Sequence, residues 1–254
     1  DECGVVNGDN SICTDQCGIV NGNNESMDEC GVCEGESLCD DGYVELWCDC
    51  YNIQETTVLD PPRTSTMLRV IPSDIGELVN LIELDLDDNG LIGEIPSEIG
   101  NLTNLEYLFL GYNNLTGEIP SSIGNLTNLE RLILTNLQLT GEIPVEIGNL
   151  TNLEFLSLYF TQLTSEIPSS IGNLTNLETL YLGSNQLIGE IPSSIGNLTN
   201  LESLDLSDNQ LTGEIPSEIC NIPYIYVSNN KLCPPYPSCI SQSDINSQDN
   251  SSCP

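Results

Sequence analysis

The sequence predicts a β-rich right-handed solenoid, a horseshoe with a parallel sheet on its concave side and irregular 3-10 turns on its convex side. A disulfide-rich N-terminal module and a disulfide C-terminal cap close its two ends. Three observations predict this. The stretch GEIPSSIGNLTNLE stands at 117–130 and again at 189–202, and recurs with one change at 93–106 and 165–178 and with two, Val145 and Glu146, at 141–154. Leucines and isoleucines keep the same places in every copy. The cysteines avoid the copies: eight lie at 3–50 and four at 220–253.

The first fifty residues read as a cysteine-rich repeat module and leading cap (1–50). DECGVVNGDNSIC (1–13), DQCGIVNGNNESM (15–27) and DECGVCEGESLC (28–39) are degenerate copies, with Val6 and Val20 where Cys33 stands and Met27 where Cys13 stands. Cys3, Cys13, Cys17, Cys30, Cys33, Cys39, Cys48 and Cys50 form one even group, and Cys220, Cys233, Cys239 and Cys253 another. Each group can close its own bridges, as small secreted modules do. The rival reading, zinc held by Cys30-x2-Cys33 and Cys48-x-Cys50, lacks a second CxxC at ribbon spacing and any His. No cofactor is required. The Asp, Asn and Gly density leaves calcium a candidate cation, although no copy carries the D-x-[DN]-x-[DN]-G loop.

An irregular first repeat (51–80) carries Leu59, Met67, Ile71, Pro72, Ile75 and Gly76. Six regular repeats follow (81–224), starting at Leu81, Leu105, Leu129, Leu153, Leu177 and Leu201, 24 residues apart. Each reads LxxLxLxxNxLxGEIPxxIGNLTN. Leu at positions 1, 4 and 6 makes a short strand with one buried face. Asn at 9 turns the chain and bonds backbone groups that the turn leaves unpaired. Leu at 11, Ile at 15 and 19 and Leu at 22 fill the interior, while Pro at 16 and Gly at 20 forbid a long helix. One coil cannot bury these residues alone, so neighbours must stack. A truncated last repeat and disulfide cap (225–254) begins with Ile225, Val227, Asn230 and Leu232.

This pattern resembles the leucine-rich repeat family, specifically the 24-residue class with an IP-x-x-IG segment found in plant receptor ectodomains and polygalacturonase-inhibiting proteins. The resemblance spans residues 57–232. LWCDCYNIQETTVLD (46–60) looks like the family's leading cap. NKLCPPYPSC (230–239) is similar to its closing cap, where an LC…C pair closes the last coil. The N-terminal copies resemble the CGVCGGDxSxC element of extracellular cysteine-rich regions.

Charge restricts the partners. Four Lys and Arg against thirty-nine Asp and Glu give a net charge of −35. Nucleic acid is excluded, because no basic patch can displace its counterions. No run of eighteen apolar residues is present, so membrane insertion is not expected. The chain begins at Asp1 without an apolar leader and reads as a mature secreted form, extracellular or at the cell surface. With no His, the Ser-His-Asp and Cys-His routes of catalysis are closed, and the chain is not expected to be an enzyme.

The repeats disagree on one face. Strand positions 3, 5, 7 and 8 point away from the core. Repeat one offers Glu83, Asp85, Asp87 and Asp88, and repeat six offers Ser203, Asp205, Ser207 and Asp208. The middle repeats offer Tyr107, Phe109, Tyr112, Arg131, Ile133, Phe155, Tyr159, Phe160 and Tyr181, a candidate binding face that Tyr224 and Tyr226 extend. Aromatic anchors inside a polar rim are what a protein interface needs. The turn Asn is lost at Leu137 and Thr161, and Gly at Ser165. Sequons at Asn101, Asn125, Asn149, Asn173 and Asn197, with Asn24, Asn114 and Asn250, are candidate glycan acceptors.

Two functions fit. The first is a structural or adhesive subunit that self-assembles head to tail through the N-terminal module and the aromatic face into a fibre or surface layer. At −35 per unit this requires salt screening or divalent bridges. The second is a recognition module that holds an extracellular protein, peptide or glycan on the concave face.

Overall fold

The computed structural model describes residues 39–47, 49–61 and 70–253. The chain divides into two compact units, Asp1–Asn52 and Ile53–Pro254. The N-terminal copies, with Cys3, Cys13, Cys17, Cys30, Cys33, Cys48, Asn24 and the candidate calcium ligands, lie outside the described residues.

In the first unit, β1 (Tyr43–Leu46) pairs antiparallel with β2 (Asp49–Asn52), and a Cys39–Cys50 disulfide ties the hairpin to the residues before it.

The second unit is the solenoid. Its main sheet is parallel and eight-stranded: β3 (Val58–Leu59), β4 (Glu83–Asp85), β6 (Tyr107–Phe109), β8 (Arg131–Ile133), β9 (Phe155–Ser157), β10 (Thr179–Tyr181), β11 (Ser203–Asp205) and β12 (Tyr224–Tyr226) lie in chain order. The register is one repeat per strand, so Leu84, Leu108, Leu132, Leu156, Leu180 and Leu204 form one buried column. A second ladder pairs β5 (Ile92–Glu94) with β7 (Asn114–Thr116), and single parallel bridges carry it on at Glu166–Ile188, Glu190–Thr212 and Glu214–Cys233. On the far side each coil makes a 3-10 helix directly after its proline, for example Ser121–Asn125 after Pro120. Proline suits that place: its fixed φ is preset and its missing N–H is not needed there.

The turn Asn works as its amide chemistry demands. Asn113 Oδ1 accepts from Asn89 N and Leu91 N of the preceding coil at 3.1 and 2.9 Å, and Nδ2 donates to the carbonyls of Leu86, Leu110 and Gly111. A second ladder, with no counterpart in the sequence reading, runs through the last residue of each repeat. Asn104, Asn128, Asn152, Asn176 and Asn200 each donate to a carbonyl one coil back, at 2.8–3.0 Å.

The closing cap corrects one expectation. Cys233 and Cys239 do not bond each other. Cys239 bonds Cys220, at the end of the last 3-10 helix, and Cys233 bonds Cys253. The reason is the path of the tail. A short helix, α1 (Gln242–Asn246), N-capped by Ser241, turns the chain back over the last coil. There Gln248 Nε2 donates to Val227 O and Asp249 N to Asn230 O, both at 2.8 Å, which brings Cys253 to Cys233.

Candidate binding face

The register assembles the predicted residues into two columns on the outward face of the sheet. At position 3 stand Glu83, Tyr107, Arg131, Phe155, Thr179, Ser203 and Tyr224. At position 5 stand Asp85, Phe109, Ile133, Ser157, Tyr181, Asp205 and Tyr226. Tyr107, Phe109, Ile133, Phe155 and Tyr181 are half-buried; Arg131, Tyr224 and Tyr226 are exposed.

The rings support one another. Phe155 meets Tyr181 edge to face at 5.8 Å, Tyr107 meets Phe109 at 6.3 Å, and Tyr159 meets Phe160 at 6.4 Å. The Arg131 guanidinium stands over the Phe155 ring with Cζ 5.9 Å from its centroid, within cation–π range. Ser157, buried between Phe155 and Tyr159 along the strand, shares a 2.7 Å hydrogen bond with Thr135. A Cβ placed on Gly183 would come within 3.1 Å of the Tyr159 ring. Small residues thus leave low ground beside the rings, a contribution that the sequence reading missed.

Position 8 is left-handed in every coil, from Asp88 (φ 54°) to Asn229 (φ 53°). Asp, Asn and Ser occupy it elsewhere, as short polar side chains tolerate that conformation. Tyr112 (φ 56°) and Phe160 (φ 55°) are the exceptions, and both are exposed. A bulky ring in this region costs about 1–2 kcal/mol. A cleft of 340 Å³ opens beside Phe160, lined also by Leu137 and Thr161, where the turn Asn is missing.

The acidic ends have their own reason. Asp85 Oδ1 accepts from Asp87 N at 3.0 Å, and Asp205 Oδ1 from Ser207 N and Oγ at 2.9 and 2.6 Å, so each carboxylate closes its own turn. Phe109, Ile133 and Tyr181 occupy the same position without a carboxylate to close the turn.

Tyr107 Oη donates to Glu130 Oε2 at 2.9 Å across neighbouring coils. This bond and the Glu130 charge hold the phenol in its neutral form and raise its pKa above the ordinary tyrosine value. The contribution to stability is complete below the unfolded-state pKa and is lost as pH rises through the folded one. The Glu130→Gln variant is expected to bring the Tyr107 phenolate absorbance in at lower pH than the parent; unchanged titration would show that the contact does not form in solution.

The sequons Asn101, Asn125, Asn149, Asn173 and Asn197 end successive 3-10 helices on the far side, all exposed, as are Asn114 and Asn250.

Against known proteins, a leucine-rich repeat model matches residues 79–139 and a leucine-rich repeat region model matches 133–223. Residues 79–223 are therefore leucine-rich repeats, and the solenoid is of the leucine-rich repeat class. No curated protein matches the chain in sequence. Among solved structures, the plant peptide hormone receptor RGFR1, determined with RGF2, is 41% identical with a TM-score of 0.63, over 64% of this chain and 27% of that one. The Arabidopsis receptor kinase HAESA, determined with the peptide hormone IDA and the co-receptor SERK1, is 40% identical with a TM-score of 0.62, over 68% and 30%. A plant ice-binding protein is 27% identical with a TM-score of 0.53, over 74% and 77%. The chain thus spans less than a third of the length of the two receptors. The disulfides and these ectodomain relatives place it outside the cell or at its surface. Among the described residues no helix is long and apolar enough to cross a membrane.

Proposed function

We propose that the chain is a non-catalytic extracellular recognition module that holds an extended stretch of a peptide or protein along its two outward columns. One observation carries this. Tyr107 and Phe155 flank Arg131 in one column, and Phe109, Ile133 and Tyr181 stand in the next with Ser157 between the last two, so the apolar side chains of the face gather around one cation, with Glu83 and Asp85 before them and Asp205 after. Exposed contiguous apolar surface of this kind marks an interaction site. The ligand that complements it carries apolar or aromatic side chains at its centre and basic ones towards its ends. The receptor relatives, determined with peptide hormones, support this reading. These relatives are why it is preferred to the head-to-tail fibre.

The test is selection of random displayed peptides on the purified protein, followed by affinity measurement on the Phe155→Ser, Tyr159→Ser, Phe160→Ser triple variant. Enriched peptides should share an apolar core with basic flanks. Hot-spot side chains contribute about 2 kcal/mol or more each, so affinity should fall by at least about 30-fold. The fold should survive, since Tyr159 and Phe160 are exposed and the Phe155–Tyr181 contact contributes only about 1 kcal/mol. Enrichment indifferent to the triple substitution would sink the proposal.

A second reading is favoured by a different observation. The plant ice-binding relative is one whose length the chain largely spans, 77% of it. On this reading the solenoid binds ice.

A further inference from the structure

We infer that the cleft beside Phe160 is a carbohydrate-binding subsite that takes a neutral oligosaccharide, separate from the two columns assigned to a peptide. The cleft lies at repeat positions 8–10, where the chain leaves the sheet, and opens where the buried Leu137 and Thr161 replace the turn Asn. Its volume of 340 Å³ is near the lower end of the roughly 300–1,000 Å³ usual for small-ligand sites.

Three features point to a sugar. The first is the ring. Phe160 stands in the left-handed region (φ 55°), where Asn136 and Asn229 serve at the same position, and it is 57% exposed. Bulky residues persist in that conformation where something other than the backbone demands them. Tyr112, also left-handed and exposed, stands two coils back in the same column, with Asn136 between. Tyr112 N donates to Thr135 O and Asn136 N to Tyr159 O, at 2.8 and 2.9 Å, so the column follows the sheet ladder. A pyranose presents a face of weakly positive C–H groups, which rests on the electron-rich face of an aromatic ring.

The second is the set of amides. Asn114, Asn136, Gln138 and Gln162 line the cleft and are exposed. Each side-chain amide both donates and accepts, as a sugar hydroxyl does. None of the four is bonded to another side chain or carbonyl among the described residues, whereas the amides of Asn113 and Asn185 are spent on the turn. The third is charge. The chain carries thirty-nine acidic residues, yet no residue lining the cleft is ionisable. An ionised group is costly to strip of water, so an uncharged lining suits a neutral ligand.

Asn114 also heads the sequon Asn-Leu-Thr on the cleft wall. The sugar therefore has two sources of the same chemistry: a separate glycan, or an N-glycan that this chain carries at Asn114.

The first arm of the experiment uses the full chain made without glycosylation. Cellohexaose, mannohexaose and chitohexaose are titrated by calorimetry, with an oligogalacturonide as the anionic comparison. At least one neutral probe should bind. Phe160→Asn should weaken it at least about tenfold through loss of stacking, and Gln138→Ala with Gln162→Ala by about tenfold through loss of two hydrogen bonds. Phe160→Asn also relieves the left-handed strain, so it should melt at or above the temperature of the parent, which separates a binding ring from a structural one. The second arm uses chain made in a glycosylating host and follows native endoglycosidase release of the Asn114 glycan, which should be at least about tenfold slower in the parent than in Phe160→Asn. A positive first arm assigns the cleft to a separate glycan, and a positive second arm alone assigns it to the chain's own. Failure of both arms overturns the inference. So does neutral-probe binding indifferent to Phe160→Asn, or tighter binding of the oligogalacturonide. None of these outcomes bears on peptide binding at Tyr107, Arg131 and Phe155, whose failure is read in the peptide selection.

Discussion

Gly148→Ala is expected to destabilise the solenoid by about 3 kcal/mol, at the upper end of the usual cost of overpacking. The cause lies between coils. A Cβ on Gly148 would stand 2.5 Å from Ser170 O and 2.7 Å from Ser170 Cβ. Ser170 belongs to the next coil, and its backbone is itself fixed by stacking, so relief requires the coils to part. Gly124 faces Glu146 at 2.5 Å and Gly172 faces Ser194 at 2.5 Å in the same way, so the penalty belongs to the architecture and not to one site. The control is Gly90→Ala. Gly90 has φ +68° and nothing within 4 Å of an added Cβ. It should lose only the left-handed penalty, about 1–2 kcal/mol. Urea denaturation of the two variants checks this; equal losses would show that coil spacing is slack enough to admit a methyl group.

Asn185→Ala is expected to cost about 3 kcal/mol. Asn185 Oδ1 accepts from Leu163 N at 3.0 Å and from the Thr161 hydroxyl, and Nδ2 donates to the carbonyls of Leu158, Leu182 and Gly183. Those carbonyls have other donors. Leu158 O also accepts from Thr161 Oγ1, Leu182 O from Asn209 Nδ2, and Gly183 O from Phe160 N. The group left with no partner is the buried Leu163 N–H. One orphaned buried donor costs about 1–3 kcal/mol, and the small cavity adds to it. Thermal unfolding of the variant should therefore show a clear loss, and Asn185→Asp, which keeps the acceptor for Leu163 N, should recover part of it at neutral pH. A variant as stable as the parent would mean that water replaces the amide.

Much of this was legible in the letters, because a solenoid turns sequence period directly into spatial columns. Leu84, Leu108 and Leu132 share a spacing of 24 and therefore share a place in the core. The same arithmetic put Tyr107, Arg131 and Phe155 in one outward column. What escaped was whatever depends on the exact path of the chain. Gly148 was read as a helix breaker, whereas its place is set by how closely the next coil approaches. The tie between Tyr107 and Glu130 runs diagonally across coils, so no period displays it. The pairing of Cys220 with Cys239 depends on where the tail folds back, beyond the reach of the repeat. The left-handed turn at Tyr112 and Phe160 was hidden because nothing in a tyrosine or phenylalanine announces that conformation.

The Asn ladder, the glycine contacts and the strand pairs share one property: nearly all of them join a residue to a fixed repeat position one coil away. Unequal recombination that removed 24 residues between Leu129 and Asn152 would leave every such partnership with an equivalent partner. It would also set Phe155 directly beside Tyr107. A lineage carrying this architecture can therefore rewrite the face it presents by gain or loss of whole coils, at a rate set by recombination between near-identical gene segments and not by point mutation.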